Sequence, residues 1–281
     1  MDIDFELSGV YSVLDSQGWI DECNRRFSWL NKTNLEDQNK WLKESNISYS
    51  AELVDIGCGI GLRSIAYAQY LQYGNVKGFD INELVLNKAR EFAKQKKITN
   101  VSFDKMEQNK VPLSDSSVDC VCFDSVLWAV ANPILSLTEA SRLIKPRGLL
   151  MVKNFDCGGF LMSYPQLPSS LINLFHSFDL ATQDWGGDIF IGRKLSSYIT
   201  QVGLTIKQIS IEPEVKVGVA SETEIENFWK FFSQWKLPLV NGGYITINEY
   251  DNARKDFQKW SKQSSRMQIR TTIRVLAEKQ E

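Results

Sequence analysis

The sequence predicts an α/β fold: a doubly wound, mainly parallel seven-stranded sheet with helices on both faces, a helical N-terminal cap and insertions in the C-terminal half. Three observations lead there. Short apolar runs alternate with amphipathic stretches of helical length, the pattern of βαβ units. The first run ends in a glycine cluster, Gly57, Gly59 and Gly61. The first two runs also carry carboxylates near their ends, Asp55 and Asp80.

Each element has its own signal. Tyr11, Val13, Leu14, Trp19 and Ile20, then Phe27, Trp29 and Leu30, recur at rough helical spacing among polar residues, so the first fifty residues read as helices. The run 52–56 is a short strand, 62–71 a helix, and 76–80 a second strand ending in Asp80. A helix over 83–96 and strands over 101–103 and 118–123 follow. A helix over 135–143 leads through the turn Pro146-Arg147-Gly148 to a fifth strand, 149–152. The segment 156–194 is punctuated by Pro, Gly and Ser, which loosens the rhythm. Beyond it lie a helix over 194–202, a strand over 204–211, and helical stretches near 221–235 and 248–263. The alternating run 267–275 is the last strand. Phe228, Trp229, Phe231, Phe232 and Trp235 share a helical spacing that reads as a packing face.

Composition narrows the function. Thirty-two Lys+Arg against 34 Asp+Glu leave a net charge of −2, which argues against a whole-surface affinity for nucleic acid. No apolar run of membrane-spanning length occurs. The acidic start Met1-Asp2-Ile3-Asp4 lacks the order of a signal peptide, and a cytoplasmic location is expected. Five cysteines without Cys-x-x-Cys spacing suggest reduced thiols, neither a disulfide framework nor a zinc site. Cys120 and Cys122 read as small apolar fillers on one strand face, and no metal is expected.

The glycines carry the chemistry. Glycine after a first strand lets the backbone turn tightly and approach a ligand that a Cβ would push away, and the next helix points its first N–H groups at that ligand. A dinucleotide fingerprint places its glycines at offsets 0, 2 and 5. Here they fall at 57, 59 and 61, offsets 0, 2 and 4, with Asp55 two residues ahead. Asp80, 19 residues after Gly61, sits where an acid binds ribose hydroxyls.

With these residues the chain resembles the class I S-adenosylmethionine-dependent methyltransferases over roughly residues 50–155. Leu53-Val54-Asp55-Ile56-Gly57-Cys58-Gly59-Ile60-Gly61 matches the motif whose backbone cradles the methionine part of the cofactor. Val76-Lys77-Gly78-Phe79-Asp80 matches the ribose motif. The stretch 101–112 resembles the adenine loop, with Met106-Glu107-Gln108 where Gly-Asp-Ala is usual. The fourth strand and its turn resemble the next motif, with Trp128 and Ala129 where many relatives carry two histidines. Residues 139–148 match the turn before strand five, Arg147 replacing a glycine. The resemblance implies S-adenosyl-L-methionine as cofactor and S-adenosyl-L-homocysteine as product. It assigns cofactor contacts to Asp55, Gly57, Gly59, Gly61, Asp80, Ile81, Glu107, Gln108 and Phe123. One domain then divides into a cap (1–48), a cofactor-binding core (49–155), substrate-covering insertions (156–203 and 214–265) and the last strands (204–213 and 266–278).

Methyl transfer is an in-line displacement in which orientation supplies much of the rate. His176, the single histidine, is a candidate base, or else a packed or surface residue. Asp124, ending the fourth strand, could orient or deprotonate an acceptor, or cap a helix. Tyr11, Trp19, Trp128, Phe155, Tyr164 and Trp185 are candidates for a substrate pocket, where aromatic faces hold a flat or apolar acceptor; some of them belong to the core. The expected partner is a small-molecule methyl acceptor with an O, N or C nucleophile, with no nucleic acid and no membrane, in a monomer or homodimer. The alternatives are an RNA or protein methyltransferase, a non-catalytic cofactor-binding protein and, last, an NAD-dependent oxidoreductase, whose third glycine is misplaced.

Overall fold

The computed structural model describes residues 9–14, 18, 41–106 and 110–281. Five strands, β1 (Glu52–Ile56), β2 (Asn75–Asp80), β3 (Val101–Lys105), β4 (Val118–Asp124) and β5 (Ile144–Asp156), are followed by β6 (Leu204–Val217) and β7 (Met267–Lys279). The sheet order is β3-β2-β1-β4-β5-β7-β6. Strands β1 to β5 run parallel and β7 lies antiparallel to both neighbours. The order reverses between β1 and β4, which opens a crevice at their carboxyl ends.

Helices cover both faces. On one, α1 (Leu62–Tyr70) and α2 (Glu83–Lys96) bury Ile65, Leu86, Ala89 and Ala93 with Phe103 of β3. Tyr67 and Leu71 meet Leu53, Cys120, Cys122 and Met151 beside Trp41 and Leu42. The Cys120 and Cys122 sulfurs lie 3.9 Å apart on this face, as the alternation of a strand dictates. On the other face, α3 (Pro133–Leu143), α4 (Ser169–Asp184) and α5 (Leu195–Gln201) pack with Val54, Ile56, Val121, Phe123 and Val152. Local chemistry starts the helices where the sequence says. Asn82 accepts from Leu84 N–H and Asn132 from Leu135 N–H, each satisfying a donor that the first turn leaves open.

Between β6 and β7 come α6 (Glu222–Ser233), α7 (Lys236–Asn241) and α8 (Ile247–Ser261), the last opened by a Thr246–Glu249 capping box. Helix α8 packs on both α4 and α6, so the segments inserted after β5 and after β6 share one interior. Phe228 stacks on Phe257 at 3.9 Å between ring centres, and Trp229 lies edge-on to Tyr250. Among the described residues no helix is long and apolar enough to cross a membrane.

Two elements depart from the sequence reading. Helix α4 lies within the segment read as loosely punctuated; Leu171, Leu174, Phe178 and Ala181 form a helical stripe that the flanking prolines and glycines obscured. Strand β6 runs to Val217, past Pro213. It is an edge strand, and a proline whose missing N–H faces outward costs no ladder bond there.

Candidate cofactor and active site

The loop between β1 and α1 is tied to the end of β2. Gly57 and Cys58 N–H groups both donate to Phe79 O, at 2.7 and 3.0 Å. Gly57, Gly59 and Gly61 have φ of 74°, 53° and 73°, a region that favours glycine. Two of them differ in what surrounds them. A Cβ on Gly61 would sit 2.5 Å from the Phe103 ring and 2.8 Å from Ala89, whereas one on Gly59 would meet nothing within 4 Å. Gly61 therefore lets α1 close on its neighbours, and Gly59 leaves open space for a ligand.

That space is a cleft lined by Asp55, Gly57, Cys58, Gly59, Ile60, Leu62, Arg63 and Asp124. It lies at the switch point between β1 and β4, where ligands of such sheets bind. Asp80 borders it from β2. Its Oδ2 accepts from Gly59 N–H at 2.9 Å and its Oδ1 from Asn82 N–H at 3.0 Å. These two bonds hold the carboxylate in place at the edge of the cleft. Ile81, next along, is 45% exposed, an apolar side chain available to a flat ring. Glu107, Gln108 and Trp19 lie outside the described residues.

Electrostatics select the ligand. Asp55, Asp80 and Asp124 are all buried, and among the described residues lining the cleft Arg63 is the cation. Such a set suits a ligand with excess positive charge and disfavours a pyrophosphate. Cys58 is no nucleophile, because burial and the nearby Asp80 push its thiol pKa well up and only the thiolate reacts. Among the described residues no group of three or more His, Cys, Asp or Glu could hold a metal ion.

Asp55 accepts from Ser64 Oγ at 2.5 Å, and burial raises its pKa from 3.8 to about 6 against the lowering effects of Ser64 and Arg63. The folded chain thus keeps a proton that the unfolded chain has already released. Between those pH values stability falls as pH rises. Asp55→Asn is expected to remove this slope. Urea midpoints of both proteins at about pH 4.5 and pH 6.5 check it: the wild type should lose ground to the variant at the higher pH. Parallel shifts in the two proteins would rule it out.

Several candidates fall elsewhere than the sequence suggested. His176 is exposed on α4, and its neighbours Ser177 and Phe178 are the buried ones. The 3.6-residue turn points it to solvent, and it is not among the residues lining the cleft. Phe123 is 1% exposed inside the sheet–helix core: alternation along β4 turns its ring away from the cleft that Asp124 faces. Tyr164 is 61% exposed and contributes a backbone bridge to Met267; it is not among the residues lining the glycine-loop cleft. Asp124 caps no helix, since the short 3₁₀ turn Leu127–Ala129 begins without a side-chain cap. Asp124 forms an ion pair with Arg63 instead.

Four other aromatic candidates do meet. Trp128, buried and donating Nε1–H to Ser125 O at 3.0 Å, lies 5.6 Å from Tyr11 and 5.1 Å from Phe155 between ring centres. Trp185 stacks at 5.7 Å on Trp235, which itself lies 5.6 Å from Tyr11 and 6.5 Å from Trp128. Phe178 completes the group, 5.7 Å from Trp235. Helix α6 ends at Ser233, yet Trp235 is buried in the same core as Phe228 and Phe232 and keeps contact with Phe231 at 6.5 Å. Arg63 was missed although its place in the sequence, two residues after the last glycine at the first turn of α1, was a usable signal.

Comparison with known proteins agrees with this geometry. A profile of the methyltransferase domain family matches residues 47–203. An uncharacterized methyltransferase of Schizosaccharomyces pombe is 32% identical over 110 residues, 37% of this chain and 40% of that one. A demethylmenaquinone methyltransferase of Staphylococcus haemolyticus is 25% identical over 126 residues, 43% of this chain and 52% of that one. The match thus spans about half or less of these curated relatives. Among solved structures, a candidate methyltransferase from Bacillus halodurans superposes with a TM-score of 0.60 at 16% identity, covering 88% of this chain and 100% of its own. That likeness concerns the fold.

Proposed function

Because the chain belongs to the methyltransferase domain family, we propose that it transfers the methyl group of S-adenosylmethionine to a nucleophilic oxygen, nitrogen or carbon of a small molecule. The observation that carries this reading is the Gly59–Asp80 cradle: an open left-handed glycine whose N–H orders a buried carboxylate at the crevice. The cofactor supplies a methyl on a sulfonium, already a good leaving group. The protein has to orient the two reactants, and orientation can supply much of the rate. Asp80 would hold the ribose diol, the loop 57–61 the amino-acid end, and Ile81 one face of the adenine.

The acceptor class follows from the aromatic group at the ends of β4 and β5. Trp128, Phe178 and Trp235 are buried and pack against Tyr11, Phe155 and Trp185, whose partly exposed rings are the apolar faces left at this place. Such faces favour a flat, apolar acceptor. The staphylococcal relative, named for a quinone substrate, supports the same direction.

Two measurements test the reading. Calorimetry should give micromolar affinity for S-adenosylmethionine and S-adenosylhomocysteine and none for NADH. Label from methyl-tritiated cofactor should then pass to members of a panel of small phenols and quinols, and not to bulk RNA or protein. NADH binding without adenosyl-ligand binding would sink the cofactor assignment, and label on RNA or protein alone would sink the acceptor class.

A further inference from the structure

Strand β6 ends the sheet, with β7 on one side and no strand of the described residues on the other. Its register sets Val217 opposite Met267 and, counting back by twos, Val215, Pro213, Ile211 and Ile209 opposite Ile269, Thr271, Ile273 and Val275. Met267 does not bond to Val217; it exchanges both backbone bonds with Tyr164, at 2.6 and 2.8 Å. The next pair does bond across, Gly218 N–H donating to Arg266 O at 2.7 Å. Val217 therefore sits in a non-hydrogen-bonded pair, and the alternation of an antiparallel ladder gives Val215, Pro213, Ile211 and Ile209 the same setting. Their C=O groups face out from the sheet, as do their N–H groups except at Pro213, which has none. The side chains of this row are apolar and open: Ile209, Ile211, Val215 and Val217 are 49%, 64%, 51% and 72% exposed.

We propose that two copies of the chain meet on this edge, β6 pairing antiparallel with the partner's β6 about a two-fold axis at Val215. The proposal is independent of the cofactor reading. An open row of N–H and C=O groups is a template for another strand, and native edges are commonly blunted by charge, proline or cover. Between Ile209 and Val217 the outward row carries β-branched side chains, with Pro213 as its blunting device.

Charge selects a second copy as the occupant. The alternate residues Glu212, Glu214 and Lys216 lie on the other face of the strand. With Val215 on the axis, Glu214 comes opposite the partner's Lys216, and Lys216 opposite the partner's Glu214. On the apolar face Val215 meets the partner's Val215, and Pro213 meets the partner's Val217. Opposite charges and β-branched pairs across strands both stabilise a sheet, and a two-fold contact uses one self-complementary patch twice. A parallel pairing in register would set like charges together. Glu214 already lies 3.3 Å from Lys216 and 3.8 Å from Arg270 within its own chain, so pairing extends a charge network and strands no ion. The contact is short and Pro213 lacks a donor, which places the dimer at the small, reversible end of specific interfaces.

Sedimentation equilibrium of the full chain should show monomers passing to dimers as concentration rises. Hydrogen exchange of the Val215 and Val217 amides, followed by NMR, should slow over the same range, because those N–H groups gain acceptors. Val215→Lys sets two ammonium groups face to face on the axis and should weaken the dimer about tenfold or more. Its melting midpoint should stay put, since the side chain is half exposed. Glu214→Lys and Lys216→Glu should each weaken the dimer several-fold, and the double variant should restore it. Pro213→Val supplies the missing N–H and should tighten it. A monomer at every concentration, or a dimer indifferent to Val215→Lys, would overturn the proposal. So would a double variant no tighter than the single ones, since the charges would then not be opposed. Slow Val215 and Val217 exchange in a monomer would overturn it too, by assigning the edge to another segment of the same chain.

Discussion

Asp80→Ala should weaken S-adenosylhomocysteine by more than about 100-fold, because two charge-assisted hydrogen bonds are lost at once. The carboxylate does two things in this structure. It fixes the glycine loop through Gly59 N–H and the start of α2 through Asn82 N–H, and on the proposed reading it receives the ribose diol. Alanine removes both the acceptor and the clamp. Asp80→Asn is instructive beside it, since an amide turns one acceptor oxygen into a donor. One of the two backbone N–H groups then faces another donor, and the variant should bind little better than alanine. Calorimetry with thermal melts of the same samples separates ligand loss from unfolding. Near-wild-type affinity in Asp80→Ala would contradict the ribose assignment.

The second large effect is on stability. Trp128→Ala is expected to cost about 3–5 kcal/mol, the range for truncating a buried large aromatic, or a fall of roughly 10 °C in melting midpoint for a chain of this size. Its ring is 1% exposed and touches rings from four separate places: the N-terminal 3₁₀ turn (Tyr11), β5 (Phe155), α4 (Phe178) and the α6–α7 junction (Trp235). Removing it opens a hole that those elements cannot all close. Trp128→Phe keeps most of the volume and loses the Nε1–H bond to Ser125 O, which should cost about 1 kcal/mol. A shift under about 2 °C in Trp128→Ala would show that the group is looser than its burial implies.

The fold itself was legible because its evidence is periodic and local. Alternating strands and helices, Asn82 and Asn132 at helix starts, and the glycine run after β1 act within a few residues of one another. Most predicted edges were displaced by only a residue or two. The larger displacements came at Ile144, Asp156, Val217 and Lys279, where pairing with neighbouring strands prolongs β5, β6 and β7 past the turn Pro146-Arg147-Gly148, past Pro213 and past Val275. The hidden helix α4 is a different case, since its stripe was present in the sequence and only its Pro/Gly surroundings concealed it.

Within the site, Asp55, Gly57, Gly59 and Asp80 could be picked out from the sequence because strand direction in a parallel sheet sends successive strand ends to the same crevice. What the sequence by itself determined is therefore the sheet class, the glycine loop and the acid that borders it. The tertiary structure alone decided which distant side chains meet: Arg63 with Asp124, Trp235 with Tyr11 and Trp128, and His176 with solvent. The physical reason is that residue type sets what a side chain can do. Helix rotation, strand parity and the packing of separate segments set which neighbour it does it with, and those follow from contacts far apart in the chain.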